Sequence, residues 1–217
     1  PLTPVATVSS LTPATIRQAV NELSRVDPDL AAIAQRHGPP PLWSKRPGFA
    51  TLALMILEQQ VSLKAARTIY KRLQRQVGGR VTAPRIAACS IEDLRAAGIT
   101  GGKSSYIIGL AQAVMTGDID LAALAHLDDD EVRCQLTALR GIGPWTADVY
   151  LLMVLRRPDV WPVGDLALAI SMERVKRMRQ RPDADQQQRT SRSWRPWRSV
   201  AARLLWQDYL VIQRGRS

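Results

Sequence analysis

Gly141 and Gly143 flank Ile142 in the run Leu139-Arg140-Gly141-Ile142-Gly143-Pro144-Trp145-Thr146, and twenty-two residues beyond the second glycine stands Asp165, within Trp161-Pro162-Val163-Gly164-Asp165-Leu166. Two glycines around one residue let a chain turn tightly and bring bare backbone N–H groups up to an anion where the next helix starts. Apolar residues at helical spacing lie on both sides: Val132, Leu136 and Leu139 before, Val149, Leu152 and Leu155 after. The context is therefore helix, hairpin, helix. Asp165 offers a fixed carboxylate, and it also reads as the N-cap of a helix over Leu166 to Ile170. A phosphate-gripping turn followed by one isolated carboxylate points to chemistry on DNA.

The elements that must position these residues are helical throughout. Asp128 and Asp129 are start signals for the helix entering the hairpin. Ala50 to Gln60 is nearly continuous apolar sequence without Gly or Pro, which reads as a buried helix, and Ser62 caps the next, running to about Val77 and ending at Gly78-Gly79. Ser90-Ile91-Glu92-Asp93 resembles a capping box opening a short helix closed by Gly98, and a further helix from near Lys103 places Ile107, Leu110, Ala111 and Val114 on one face. Ala97 to Lys103 reads either as an ordinary glycine turn or as a second, degenerate hairpin touching phosphate. A first helix starts near Thr12 or Pro13, after a loose leader over 1–12, and another ends at His37 before Gly38-Pro39-Pro40-Pro41. Residues 182–193 are polar and Gln-rich, an exposed connection before a final helix from Pro196 to Gln213. No alternating strand pattern is present, so the fold class is all-α.

Composition narrows the partners. The 217 residues carry a net charge of +11, which suits a polyanion because neutralised phosphates release counterions. From Ser171 to Ser217 twelve Lys or Arg face four Asp or Glu. A solvated basic surface is the plain alternative. Cys89 and Cys134 are too few for an iron–sulfur cluster, which takes four thiolates, or for a disulfide framework, and read as small core residues. His37 and His126 have no zinc-like spacing. No segment approaches the roughly eighteen apolar residues of a membrane span, and no signal-peptide pattern opens the chain. The expectation is a soluble cytoplasmic protein, nucleoid-associated in a bacterium, and a monomer.

Leu139 to Leu152 followed by Val160-Trp161-Pro162-Val163-Gly164-Asp165 resembles the helix-hairpin-helix DNA glycosylases with a Gly/Pro-rich loop and Asp, specifically their alkylbase, 3-methyladenine branch in its compact form. Leu57-Glu58-Gln59-Gln60-Val61-Ser62 resembles that family's duplex wedge, and Arg195 to Ser199 with Trp206 resembles its C-terminal helix. Together these cover roughly residues 45–213. The resemblance implies two helical lobes flanking a cleft, one of about 40–160 with the hairpin near 139–147, the other of about 13–39 with 161–217.

The implied activity is monofunctional removal of alkylated purines, N3-methyladenine and N7-methylguanine, from double-stranded DNA. Asp165 falls where the family places the carboxylate beside the flipped nucleotide, and such a group stabilises the oxocarbenium-like charge of a breaking N-glycosidic bond. Bifunctional relatives hold a Schiff-base lysine after the hairpin proline; here Trp145 stands there, so strand cleavage is not expected. Trp145 and Trp206 match aromatic walls of the base pocket, where a cationic base gains cation–π energy. Val149 and Leu166 occupy pocket positions where longer members can carry aromatics, which implies a more open pocket. Gln60 matches the wedge that fills the hole left by a flipped base. Gly141, Ile142, Gly143 and Thr146 are implied DNA contacts, and the carbonyls of Thr137, Leu139 and Ile142 are where the family holds a monovalent cation. No other cofactor is implied. Trp161, Trp194 and Trp197 read as core. A helix-hairpin-helix module that grips DNA without catalysis explains the glycines and the charge, but not Trp145, Asp165 and Trp206 together.

Overall fold

The computed structural model describes residues 10–215. Among these the chain forms α1 (Pro13–Val26), α2 (Pro28–His37), α3 (Phe49–Glu58), α4 (Leu63–Gln76), α5 (Ala83–Ala87), α6 (Ile91–Ala96), α7 (Gly101–Thr116), α8 (Asp129–Thr137), α9 (Pro144–Met153), α10 (Leu166–Val175), α11 (Ala184–Ser191) and α12 (Arg198–Gly215). Single turns of tighter helix lie at Ala123–His126 and Arg192–Trp194, and no strand occurs among the described residues. The all-α expectation holds. The chain divides into two compact units, one of Lys45–Tyr150, the other formed by the residues up to Ser44 together with those from Leu151 onward.

In the unit of Lys45–Tyr150, α7 packs against α3, α5 and α6, and α3 also against α4. Leu52, Ala53, Met55, Ile56 and Leu57 of α3 are buried, which is why that stretch lacks polar residues until its end. The end signals work as expected. The Ser62 hydroxyl accepts from the Ala65 N–H at 3.2 Å, Ser90 and Asp93 form a reciprocal capping box, and Gly98 turns the chain at φ +90°. Ala97 to Lys103 leads into α7, which is capped by Thr100 and starts at Gly101, two residues earlier than expected. Ala83–Ala87 is a helix that the sequence reading did not separate.

In the other unit α12 is the axis, packing against α1, α2 and α10. Every residue from Ser199 to Trp206 is buried, so the first half of this helix is enclosed on all sides, and Ala201 and Ala202 let neighbours approach closely. Asp27 separates α1 from α2, capping the second through the N–H groups of Asp29 and Leu30, with Pro28 in the first turn where a missing N–H costs nothing. Three expectations are corrected. Residues 182–193 are not a mere exposed connection: Asp183 and Gln186 form a capping box, α11 follows, and Gln187 and Ser191 are buried. The last helix starts at Arg198, after Pro196 rather than at it. Cys134 is exposed and Cys89 half-buried, so neither is a core residue. Of the expected leader, residues 1–9 lie outside the described residues. Leu11 is buried, its N–H donating to the Arg156 carbonyl at 2.7 Å, and Thr12 caps α1.

Candidate functional site

The hairpin between α8 and α9 is closed by the Ile142 N–H donating to the Leu139 carbonyl at 3.1 Å. Gly141 sits at φ +90°, and a Cβ there would collide with the Tyr106 ring from α7. Glycine is required twice over, for the left-handed backbone and for the room. The Arg140 guanidinium lies over the same ring, 5.7 Å from its centroid. Ile142 is buried and pegs the turn, whereas Gly143 is exposed. Pro144 opens α9, and the first N–H to close a helical bond is that of Ala147, to the Gly143 carbonyl at 3.0 Å. The positive end of the helix therefore faces the turn.

The turn between α3 and α4 is tied to this hairpin. Gln59 Nε2 donates to the Gly141 carbonyl at 2.9 Å and to the Thr146 hydroxyl at 3.2 Å. Lys103 Nζ donates to the carbonyls of Leu57 and Gln59 at 2.9 and 2.5 Å, closing the end of α3, and burial pushes this ammonium below the usual lysine range. Gln60, next in sequence, is exposed and left-handed at φ +57°, a conformation that a non-glycine residue holds only where its surroundings fix it. Gln60, Lys103, Arg140, Gly143 and Trp145 line one groove with a cavity volume of about 860 Å³. Trp145 is 38% exposed there. Thr146 is buried, its hydroxyl accepting from Gln59 Nε2. Val149 is buried. Asp148 is not a second acid of the groove, since its carboxylate accepts from Arg133 Nε at 2.7 Å.

Asp165 belongs to the other unit. It is the N-cap of α10, its Oδ1 accepting from the Leu168 N–H at 2.8 Å and from Trp206 Nε1 at 3.1 Å. Carboxylate and indole are both about nine-tenths buried, so Trp206 orients the acid as well as packing beside it. Leu166, next in sequence, is 60% exposed. Arg203 on α12 is wholly buried and donates to the Leu152 carbonyl at 2.7 Å; burial pushes it down to about 10. Trp161 and Trp194 are core, their ring centroids 5.3 Å apart. Trp197 is half-buried and donates to Glu22 at 2.5 Å.

Sequence reasoning missed Gln59, Lys103 and Tyr106, although all three act directly on the hairpin or on the turn before α4. Their partners lie 44 to 87 residues away for the two polar side chains, and no local spacing reports such pairs. Among the described residues no group of three or more His, Cys, Asp or Glu side chains is placed to hold a metal ion, and no helix is long and apolar enough to cross a membrane.

A family model described as HhH-GPD superfamily base excision DNA repair protein matches residues 53–196. A DNA-3-methyladenine glycosylase of Bacillus subtilis is 30% identical over 169 residues, covering 73% of this chain and 56% of its own. The crystal structure of a DNA-3-methyladenine glycosidase from Bacillus halodurans superposes with a TM-score of 0.78 at 30% identity, over 90% of this chain and 91% of that one. A 3-methyladenine DNA glycosylase of Schizosaccharomyces pombe, solved in complex with abasic DNA, gives 0.76 at 26% identity, over 87% and 95%. The chain spans about three fifths of the length of the Bacillus subtilis relatives that it matches, 65% of one and 56% of the other.

Proposed function

The chain belongs to the HhH-GPD superfamily of base excision DNA repair proteins, and from that premise we propose that it is a monofunctional DNA glycosylase hydrolysing the N-glycosidic bond of alkylated purines, N3-methyladenine and N7-methylguanine. The observation that carries this reading is Asp165, a carboxylate nine-tenths buried, gripped by an indole N–H, in a chain that has Trp145 where a lysine nucleophile would stand. The names of the similar proteins support the same substrate class.

The chemistry is compact. Alkylation at N3 or N7 makes the purine cationic, so when the bond to C1′ breaks the base leaves with the electron pair as a neutral molecule and needs no strong acid. Positive charge builds on the deoxyribose, and a fixed carboxylate stabilises it because its orientation is set before the reaction. Water then adds to C1′, and its proton passes to Asp165 or to solvent. Trp206 holds the carboxylate in place through its N–H. Trp145 offers an exposed ring to stack on an electron-poor base, a preference of about 0.5–2 kcal/mol over a neutral one. The hairpin N–H groups take backbone phosphate, and Gln60 fills the space of the extruded nucleotide. The carbonyls of Thr137 and Leu139, at the negative end of α8, and of Ile142 in the hairpin are the proposed seat of a monovalent cation; Leu139 keeps a lone pair after accepting from Ile142.

Asp165→Asn separates the carboxylate's two roles. Asparagine keeps an oxygen to accept from Leu168 and Trp206, so thermal unfolding should change little. Single-turnover release of free base from methylated duplex should slow by about a hundredfold or more, while binding to an abasic duplex persists. A folded variant excising at the parental rate would return the chain to the reading of a DNA-gripping module without catalysis.

A further inference from the structure

From Gln59 to Ile91 the chain carries seven Lys or Arg and not one Asp or Glu. Two of the seven have local work: Arg85 donates to the carbonyls of Gly78 and Arg80, and Arg72 lies against Gly98. Lys64, Arg67, Lys71 and Arg75 do not. Their spacing of three, four and four puts them on one face of α4, all are exposed, and none joins an ion pair among the described residues. A helix face built only for its own stability mixes signs at this spacing, because like charges four apart repel. This face accepts that repulsion.

The stripe is also placed next to the groove. α4 starts three residues after Gln60, and from Lys64 to Arg75 the helix advances roughly 16 Å. At its far end Lys71, Arg75 and Arg80 border a concavity of about 660 Å³. One DNA strand advances about 3.4 Å per phosphate, so the stripe matches roughly five phosphates of a strand leading away from the groove. We propose that the Lys64–Arg75 face of α4 is a second duplex-binding surface, holding the phosphate backbone of DNA that flanks the site. The duplex as partner rests on the glycosylase reading.

The test compares a short undamaged duplex with one long enough to run past α4, titrated across salt concentrations. Wild type should bind the long duplex with the steeper dependence of log affinity on log salt. Lys71→Gln/Arg75→Gln should lower that slope by about two on the long duplex and hardly at all on the short one, with unchanged thermal unfolding. Lys71→Glu/Arg75→Glu should weaken long-duplex binding by about tenfold or more at low salt. Arg179→Gln/Arg189→Gln, exposed cations of the other unit, provides the control for net charge. An unchanged slope in the α4 pair, or an equal fall in both pairs, overturns the proposal. Base release from methylated duplex by the wild type decides the glycosylase reading separately: no release with a stripe-dependent slope sinks the catalysis alone, and release without it sinks the surface alone.

Discussion

Gly141 shows how one residue type carries a site. Its positive φ strains any other residue by about 1–3 kcal/mol, and the Tyr106 ring fills the space that a side chain would need. Gly141→Ala should therefore cost at least about 2 kcal/mol and displace the hairpin backbone, weakening duplex binding with it. Removing the ring relieves the collision but not the backbone strain. In urea unfolding, Tyr106→Ala/Gly141→Ala should lose less stability than the two single variants summed, because both act on the same contact. Simple additivity would mean that the ring does not dictate glycine. At this scale the sequence displayed Gly141, Trp145 and Asp165 through type and spacing. It hid Tyr106, Gln59 and Lys103, because what makes them matter is an approach across the fold to a backbone atom, and every residue type has the same backbone.

Among the elements, α10 bears on function most, since it is held at both ends. Asp165 and Trp206 fix its start. At its end the C-cap Lys176 donates to Asp27 at 2.6 and 2.7 Å and to Asp29 at 2.9 Å, while Trp194 Nε1 donates to Asp27 at 2.7 Å. Burial alone would raise the Asp27 carboxyl; the hydrogen bonds from Lys176, Trp194 and the Leu30 N–H, together with the lysine charge, outweigh it and hold the group below its usual range. A depressed folded value means stability that is fully present above the unfolded value, near 4, and is lost as pH falls through the lower folded one. Asp27→Ala should destabilise by about 3 kcal/mol, as expected when one partner of a buried pair is removed. Asp27→Asn keeps the cap of α2 but not the titration, so its unfolding free energy should fall less steeply than wild type's between about pH 5 and 3. Equal slopes would show that Asp27 is not what titrates. Several locally capped helix ends are legible, as at Ser62, Ser90-Asp93, Gly98 and Asp128, whereas the equally local box of Asp183 and Gln186 is not. α11 was missed because its buried residues are Gln187 and Ser191, and polarity was read as exposure.

For the whole molecule the governing quantity is charge. The net +11 is plain in the sequence, and beside the carboxyl-terminal excess the run from Gln59 to Ile91 contributes +7 with no acid to offset it. Which cations are spent on internal contacts, as Arg85 and Arg133 are, is a matter of folded geometry that composition cannot express. A chain so charged repels itself when alone, and it gains from any polyanion that binds the folded state only. At a duplex concentration of about a hundred times Kd that gain is about 2.7 kcal/mol, which for a protein of this size raises Tm by roughly 5–10 °C. The gain must vanish with salt, because six to ten phosphate contacts lose about 10³–10⁵ in affinity between roughly 50 and 200 mM. Salt alone should meanwhile raise the Tm of the free protein slightly by screening its self-repulsion. Thermal unfolding with and without undamaged duplex, at low and high salt, should therefore show a large shift at low salt and almost none at high salt. The same shift at both would mean that contacts other than phosphates hold the duplex, and no shift at low salt would mean that the basic faces of both units are only solvated surface.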